Sequence, residues 1–552
     1  MAIDRALTPT NVLRGRYSEP PASLSFAPRR RSVIALAAIT LLGTVLRLAP
    51  LRNGLWRDDA VSYFDILPHS VREVLARVAY SELNPPLFFL VEHLWAARFG
   101  YGEIALKMPS FLCSVAAIPA LYFVARGALS RGGALGAAAL LALSPGVAFY
   151  AGEVRPYAMA SLFLLLSLGS FLRWLTTGGR RCLCAAALCA ALGIWTQYTL
   201  LLFLAALALA TLLMRDRFRF AASDALAALG AVVLSFVPWF GVFALHARTG
   251  EPWYTPMIWF DRVRTIFDTL GETAPFAGWP ALMHTEIFSA LCSAVILSAA
   301  IILFLRVRRT PDPHDLPLTF LSLVFVFSLC AVAAIGYPGG RYFAPFAPIG
   351  CVIYAALLQR AYVAMTHRWR SSTSALRWAT GIVAVTLAVG NIAAEAQANA
   401  EAKSGIRELV HRNAALFTER SIILASPDFG APTLAYYLRG TSVPVYGFAR
   451  WEHPEDFRVP DYTAVWSDPG VIDRTMRRLA LMRRQGYKRL VLVRPLGLAY
   501  GSGTVPFEKE IELGRRLALH YRSLGTTGFF GRVERATLTV VDLRTDRCPQ
   551  CH

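Results

Sequence analysis

Between residue 32 and about residue 396 the chain repeats one pattern, a long apolar run closed by a few polar, glycine, proline or arginine positions. Runs of that length suit the roughly 30 Å hydrocarbon core of a bilayer. Spanning helices are expected near 32–49, 105–125, 134–150, 157–174, 182–196, 199–214, 222–245, 284–305, 317–336, 343–360 and 377–396. The run PPLFFLVEHLWAARFG at 85–100 is left out, because it is short and carries Glu92, His93 and Arg98. It reads as an interfacial helix lying along the membrane surface. Beyond residue 400 the pattern changes. Short β-like runs, SIILA (421–425), VPVYGF (443–448), KRLVLV (488–493) and ATLTVV (536–541), alternate with helical stretches such as VIDRTMRRLALMRRQG, which predicts an α/β domain.

Composition agrees with a membrane chain. Of 552 residues 55% are hydrophobic and 17% charged, and the mean hydropathy is +0.45. These values exclude a soluble globular protein and describe a polytopic α-helical membrane protein with a C-terminal extracytoplasmic α/β domain. The expected divisions are a tail at 1–31, a transmembrane domain at 32–400 and the α/β domain at 401–552. The tail holds Arg5, Arg14, Arg16, Arg29, Arg30 and Arg31 against Asp4 and Glu19. It reads as a disordered basic cytoplasmic segment feeding a signal anchor with no convincing cleavage site.

The net charge of +20 points toward nucleic acid only until the arginines are located. Many lie in short loops, RGALSRGG (126–133), TTGGRR (176–181), RDRFRF (215–220), RVRRTPDPHD (306–315) and 360–377, where they act as topology signals. With 85–100 outside the count, all of these fall on the cytoplasmic side with the N-terminus. Counting it would invert every later loop. The outward loops are then 50–104, 151–156, a tight WTQY turn at 195–198, 246–283 and 337–342, followed by the C-terminal domain. That domain carries 23 Lys and Arg against 16 Asp and Glu, an ordinary basic surface or one that favours anionic acceptors. Seven of nine cysteines sit in apolar runs as small core residues. Cys548 and Cys551, in RCPQCH, fit a frayed tail or one local disulfide better than a metal site, since no second pair exists.

On this topology four charged features converge on one side of the membrane. They are Arg57, Asp58 and Asp59 in GLWRDDAVSYF, the segment SELNPPL at 81–87, Glu153 and Arg155 in AGEVRPYA, and Arg341 in YPGGRYFAP. Each has a plain reading as well. Asp58 and Asp59 suit the first turn of a helix, Glu153 and Arg155 a solvated pair, and Arg341 an interface anchor. Taken together, carboxylates and arginines at the bilayer boundary suit a reaction between a polar acceptor and a lipid-anchored phosphate. Arginine binds phosphate oxygens by a charge-assisted fork, and a positioned carboxylate removes a proton from an attacking hydroxyl. One base and cation support suffice for a single, inverting displacement.

The order WRDDA, NPPLFFL, FGYGEIALKMPS, SPGVAFYAGEVRPYA, WTQYT and GGRYFAPFAP resembles the GT-C membrane glycosyltransferases. The similarity is to the group containing protein O-mannosyltransferases, lipid A aminoarabinose transferases and Rgt-like bacterial transferases, over about residues 32–360. The resemblance implies a GT-C-like fold and a polyprenyl-phosphate sugar donor. It also implies a glycolipid, polysaccharide or protein acceptor, and residence in a bacterial inner membrane among its lipids, with no nucleic acid partner. It implies Asp58 as catalytic base, Asp59 as its partner where an Asp-Glu pair is usual, and Glu153 lining the site. Arg57, Asn84, Lys107, Arg155, Tyr157, Arg341 and Tyr342 are implied as substrate-binding, with Lys107 standing where arginine is common. Asp58, Asp59 and Glu153 are hard oxygen ligands compatible with a divalent cation, though the reaction requires no cofactor. Two other classes remain: a lipid or solute transporter or flippase, which should hold ionisable residues within its spans, and a non-catalytic membrane scaffold displaying its C-terminal domain.

Overall fold

The computed structural model describes residues 30–218, 220–249, 259, 262–264, 266, 286–309, 312, 315–335, 340–368, 373–448, 450–451, 466–496 and 505–544. The tail up to residue 29, most of the 246–283 loop, and Cys548 and Cys551 lie outside the described residues. Each of the eleven expected spans has helix, but the helices are not equivalent. Eight described helices are long and apolar enough to cross a membrane: Arg30–Arg52, Glu103–Arg126, Tyr157–Thr177, Ala222–Arg248, Ala290–Arg309, Asp315–Ile335, Ala344–His367 and Trp378–Gln397. A ninth is broken into Arg131–Ala142 and Pro145–Ala151 with a 60° bend. Pro145 opens the second piece, where its missing N–H and fixed φ start a helix but cannot continue one. Arg180–Thr196 and Thr199–Leu213 have 17 and 15 residues. At 1.5 Å per residue they rise only about 26 and 23 Å.

The chain is a multi-pass membrane protein, and its packing follows from that solvent. Leu188, Leu212, Leu234 and Ile382 are exposed on the bundle surface, where lipid takes the place of water. Inside, Ala134, Ala137, Ala138 and Ala142 are buried along one helix, and small residues let helices approach closely. Arg47, fully buried, ties the first helix to that neighbour. Its guanidinium donates to Ser114 Oγ, Gly43 O, Ala142 O and Leu141 O at 2.9 to 3.0 Å.

Helix Leu87–Phe99 has 13 residues, about 20 Å of rise, too short to span. Its polarity is inside out for a water-facing helix: Glu92 and His93 are buried while Leu94 and Phe99 are exposed.

The C-terminal domain is built on a five-stranded mixed sheet in the order β2-β1-β3-β5-β4. The strands are β1 (Ser421–Ala425), β2 (Val445–Gly447), β3 (Arg489–Leu496), β4 (Arg522–Phe529) and β5 (Arg535–Asp542). β1 runs parallel to β2 and β3, is buried along its whole length, and sends alternate residues into two apolar clusters, as a centrally placed parallel strand must. The expected strand runs all fall on strands. β4 has no counterpart among them, because RSLGTTGF is polar and glycine-bearing, exposed at all but its last residue, and lies at the sheet edge.

This domain docks on the first loop. Leu55 N donates to Tyr437 Oη at 2.7 Å, Lys403 N to Asn53 O at 2.8 Å, and Tyr436 Oη to Tyr101 O at 3.1 Å. The rings of Tyr63 and Tyr436 meet edge to face at 4.9 Å.

Candidate active site

The site is assembled around a turn. Gly54, with φ of 76°, takes a left-handed conformation open to glycine and reverses the chain ahead of Trp56. There the helix Arg57–Ile66 begins. Asp58 and Asp59 both fall in its first turn, as expected, and Asp59, at the third helical position, turns its carboxylate back onto Trp56 N at 3.4 Å. A second loop, 152–156, presses against the first. A Cβ at Gly152 would lie 2.5 Å from Pro50 Cβ, so only glycine permits the approach.

Three charged side chains form the accessible face. Asp58 is bound through Oδ1 by Arg57 Nε at 3.0 Å and through Oδ2 by Arg341 Nη1 at 2.8 Å. Their side chains keep 13%, 14% and 19% of their exposure respectively, more than any other charged side chain of the cluster. Burial alone would raise the Asp58 carboxyl, but Arg57, Arg341 and Arg155 together hold it down at about 2. Arg57 also lies 5.1 Å from the Phe429 ring of the C-terminal domain, and Arg341 lies 5.2 Å from the ring of Tyr342.

Behind this face the charges lie deeper. Asp59 is fully buried; its Oδ1 accepts from Val154 N at 2.7 Å and its Oδ2 from Lys403 Nζ at 3.4 Å. Glu153 Oε1 accepts from Lys403 Nζ at 2.8 Å and from Trp56 Nε1 at 3.1 Å. Lys403 also donates to Gly152 O. Burial pushes the Glu153 carboxyl up against the pull of Lys403. Burial disfavours charge on Lys403, yet Asp59 and Glu153 raise it above its ordinary value. Arg155 grips Glu82 with both terminal nitrogens, Nη2 to Oε2 at 3.1 Å, and reaches Ser62 Oγ at 3.1 Å. Asn84 Nδ2 completes that group on Glu82 Oε2 at 3.2 Å.

The expected residues therefore divide. Arg57, Asp58 and Arg341 share an open face, and Arg155, Asn84, Tyr157 and Tyr342 surround it. Asp59 is sealed from solvent, because its oxygens serve the helix start, the second loop and Lys403. Lys107 does not face a substrate either. Its Nζ donates to Pro50 O at 3.2 Å, Leu51 O at 3.5 Å and Gly54 O at 2.6 Å and is fully buried, so its amine holds the first loop in shape. Nor do Asp58, Asp59 and Glu153 make a cation cage: their oxygens converge on ammonium, guanidinium and N–H groups. Among the described residues no group of three or more His, Cys, Asp or Glu is arranged to hold a metal ion. Two residues were missed. Glu82 lies within SELNPPL, whose one acid is the signal the sequence offers. Lys403 carries no local signal and is recruited from beyond the last span.

Beside the charged face lies a cavity of about 270 Å³ lined by Asn84, Gln197, Thr199, Leu201, Leu202, Val332, Ile335 and Tyr342, among others. Tyr342 and Asn84 connect it to Arg341 and Glu82.

Residues 84–241 match the family model described as dolichyl-phosphate-mannose-protein mannosyltransferase. No curated protein matches the chain in sequence. Among solved structures, ArnT from Cupriavidus metallidurans in the apo state is similar at TM-score 0.55 and 14% identity, over 92% of this chain and 97% of that one. ArnT from the same organism bound to undecaprenyl phosphate gives TM-score 0.55 and 13% identity over the same shares. The archaeal oligosaccharyltransferase AglB from Archaeoglobus fulgidus gives 0.49 and 14%, over 84% of this chain and 69% of that one. In sequence over 84–241, and in fold over nearly its whole length, the chain resembles the GT-C membrane glycosyltransferases.

Proposed function

We propose that the protein moves a sugar from a polyprenyl-phosphate donor to an acceptor hydroxyl outside a bacterial inner membrane, with Asp58 as catalytic base and Arg341 and Arg57 on the donor phosphate. The Asp58–Arg341 pair carries the reading. It joins segments 283 residues apart, keeps partial access, and stands beside an apolar cavity that offers a lipid-borne group a place out of water. The arginine-poor side is the outer one, and with the bent pair taken as one span the crossings among the described residues are odd in number, which sets the C-terminal domain opposite the N-terminus. The 180–196 and 199–213 helices form a hairpin, so counting both or neither leaves that parity unchanged. The ArnT structure with undecaprenyl phosphate supports a lipid-phosphate donor for this fold.

In the displacement the acceptor oxygen forms a bond to the anomeric carbon, and its proton passes to Asp58. The bond from that carbon to the phosphate oxygen breaks, and the electron pair leaves on the phosphate. The phosphodiester carries one negative charge and the departing monoester gains a second, so Arg341 and Arg57 stabilise charge that develops along the reaction. A carboxylate held at about 2 is a weak base. An incoming phosphate that draws Arg341 to itself releases Asp58 and raises its proton affinity where the acceptor arrives. Asp59, Glu153 and Lys403 act behind this face by fixing the helix start. The C-terminal domain, through Phe429 over Arg57, borders the acceptor side.

The test is release of polyprenyl phosphate from polyprenyl-phosphate sugars by the purified protein in nanodiscs, with envelope lipid extract as acceptor. Wild type is expected to turn over, and Asp58→Asn to be slower by about 10³-fold, within the usual range for a lost general base. Full activity of the folded variant rejects the assignment.

A further inference from the structure

We infer that Gln197 and Thr199 bind hydroxyl groups of the donor sugar within the cavity, and so select which sugar is transferred. This rests on the function proposed above and deepens it. The two residues flank a turn that is otherwise fully tied down. Trp239 Nε1 donates to Tyr198 Oη at 2.9 Å, Tyr198 Oη meets His246 Nδ1 at 3.0 Å, and His246 Nε2 meets Ala79 O at 3.1 Å. A carbonyl only accepts, so Nε2 carries the imidazole proton and Nδ1 accepts from Tyr198. The bonds run in one direction, from Trp239 through Tyr198 and His246 to Ala79, and the turn is held rigidly.

Gln197 and Thr199 stand on either side of that tyrosine, and both line the cavity. Gln197 is 1% exposed, yet neither its amide nitrogen nor its amide oxygen has a hydrogen-bond partner among the described residues. Thr199 Oγ1 has none either. Buried polar groups are almost always paired, and leaving them unpaired is unfavourable. An occupant that supplies both acceptors and donors removes that penalty. Phosphate oxygens only accept, so a phosphate would leave the Gln197 amide oxygen unpaired. A carboxamide and a hydroxyl suit neighbouring hydroxyls, each of which donates and accepts. The other walls, Leu201, Leu202, Val332 and Ile335, fit the C–H surface of a sugar ring. The volume of about 270 Å³ lies just under the roughly 300–1,000 Å³ of drug-sized sites, which admits a single monosaccharide. Asn84 and Tyr342 join this wall to Glu82 and Arg341, so a sugar seated here keeps its phosphate near the arginines.

The experiment uses the full chain in nanodiscs and two kinds of probe, undecaprenyl phosphate without sugar and a panel of undecaprenyl-phosphate hexoses and pentoses. Wild type is expected to bind one or more sugar-loaded lipids more tightly than the bare phosphate. Gln197→Leu is expected to weaken the preferred sugar-loaded lipid about tenfold or more, the effect of one lost neutral hydrogen bond, while bare undecaprenyl phosphate binds within about twofold of wild type. Thr199→Val should shift the same preference more weakly, and Gln197→Asn should recover part of it, which keeps the test open if the leucine variant folds poorly. Equal weakening of both probes, or no change in either, overturns the inference, the first assigning Gln197 to the fold or the lipid and the second leaving the cavity to water. A wild type that transfers sugar but binds every lipid alike overturns it as well while sparing the proposed function. A wild type with no transferase activity sinks the function itself.

Discussion

Asp58 and Asp59 are adjacent, chemically identical and one peptide bond apart, yet they face different worlds. Asp58 keeps a share of solvent and is bound by two arginines from opposite ends of the transmembrane domain. Asp59, rotated about 100° around the helix, meets a backbone N–H and a lysine recruited from beyond the last span. Cations surround both, but those around Asp58 can be taken by a ligand, whereas Lys403 is sealed with its three partners. The difference teaches that charge at this site has two jobs, chemistry on the open side and architecture on the closed one, and that access to substrate separates them.

The largest test of that contrast pairs Asp58→Asn with Asp59→Asn. The first should lower turnover per folded molecule by about 10³-fold, far beyond what its loss of about 2 kcal/mol of stability accounts for. The second should lower the midpoint and reduce activity only in step with the folded fraction. Equal catalytic losses at equal stability would erase the distinction. Next in size is Arg341→Gln, expected to slow turnover by about 10²-fold, as for one lost donor to a developing anion. It also removes a cation that holds Asp58 down, so the acid limb of kcat/KM should move to higher pH. Arg341→Lys should restore part of both.

On the closed side, Lys403→Met should destabilise the protein by about 2–3 kcal/mol. That is under the about 3–5 kcal/mol typical of breaking a buried pair, because the Glu153 carboxyl, already pushed up by burial, can take a proton. Turnover per folded molecule should change little, as measured by denaturation and activity on the same sample. The smallest effect concerns pH. Asp58 titrates at an ordinary 3.8 when unfolded and at about 2 when folded. Its contribution, on the order of 2 kcal/mol, is present above the unfolded value and is lost as pH falls through the folded one. In Asp58→Asn the loss of stability between about pH 4 and pH 2 should be shallower by that amount. A curve identical to wild type would show that the arginines do not hold the carboxylate.

Most of the fold was legible because membrane burial writes long apolar runs, and β1, β2, β3 and β5 were legible because buried strands concentrate apolar residues. β4 was not, since an edge strand exposed along nearly its whole length needs neither apolar residues nor alternation. The bend at Pro145 was present in the residue, but a hydropathy window averages across it. In the site, the segments were legible and the individual roles were not. Lys107 occupies a position that similarity assigns to substrate, and only its three carbonyl partners, Pro50, Leu51 and Gly54, reveal a structural role.

The amino-acid order alone determined that this chain crosses a membrane many times, that an α/β domain follows, and that acids and arginines gather in loops at one end of the bundle. Composition and periodicity respond to solvent, and solvent acts locally along the chain. Which carboxylate meets water, which lysine neutralises the other, and which polar side chains in the cavity wall stay unpaired were decided by contacts between segments up to several hundred residues apart. Those contacts depend on helix rotation and on the close approach of loops at Gly152, neither of which any short stretch of sequence encodes.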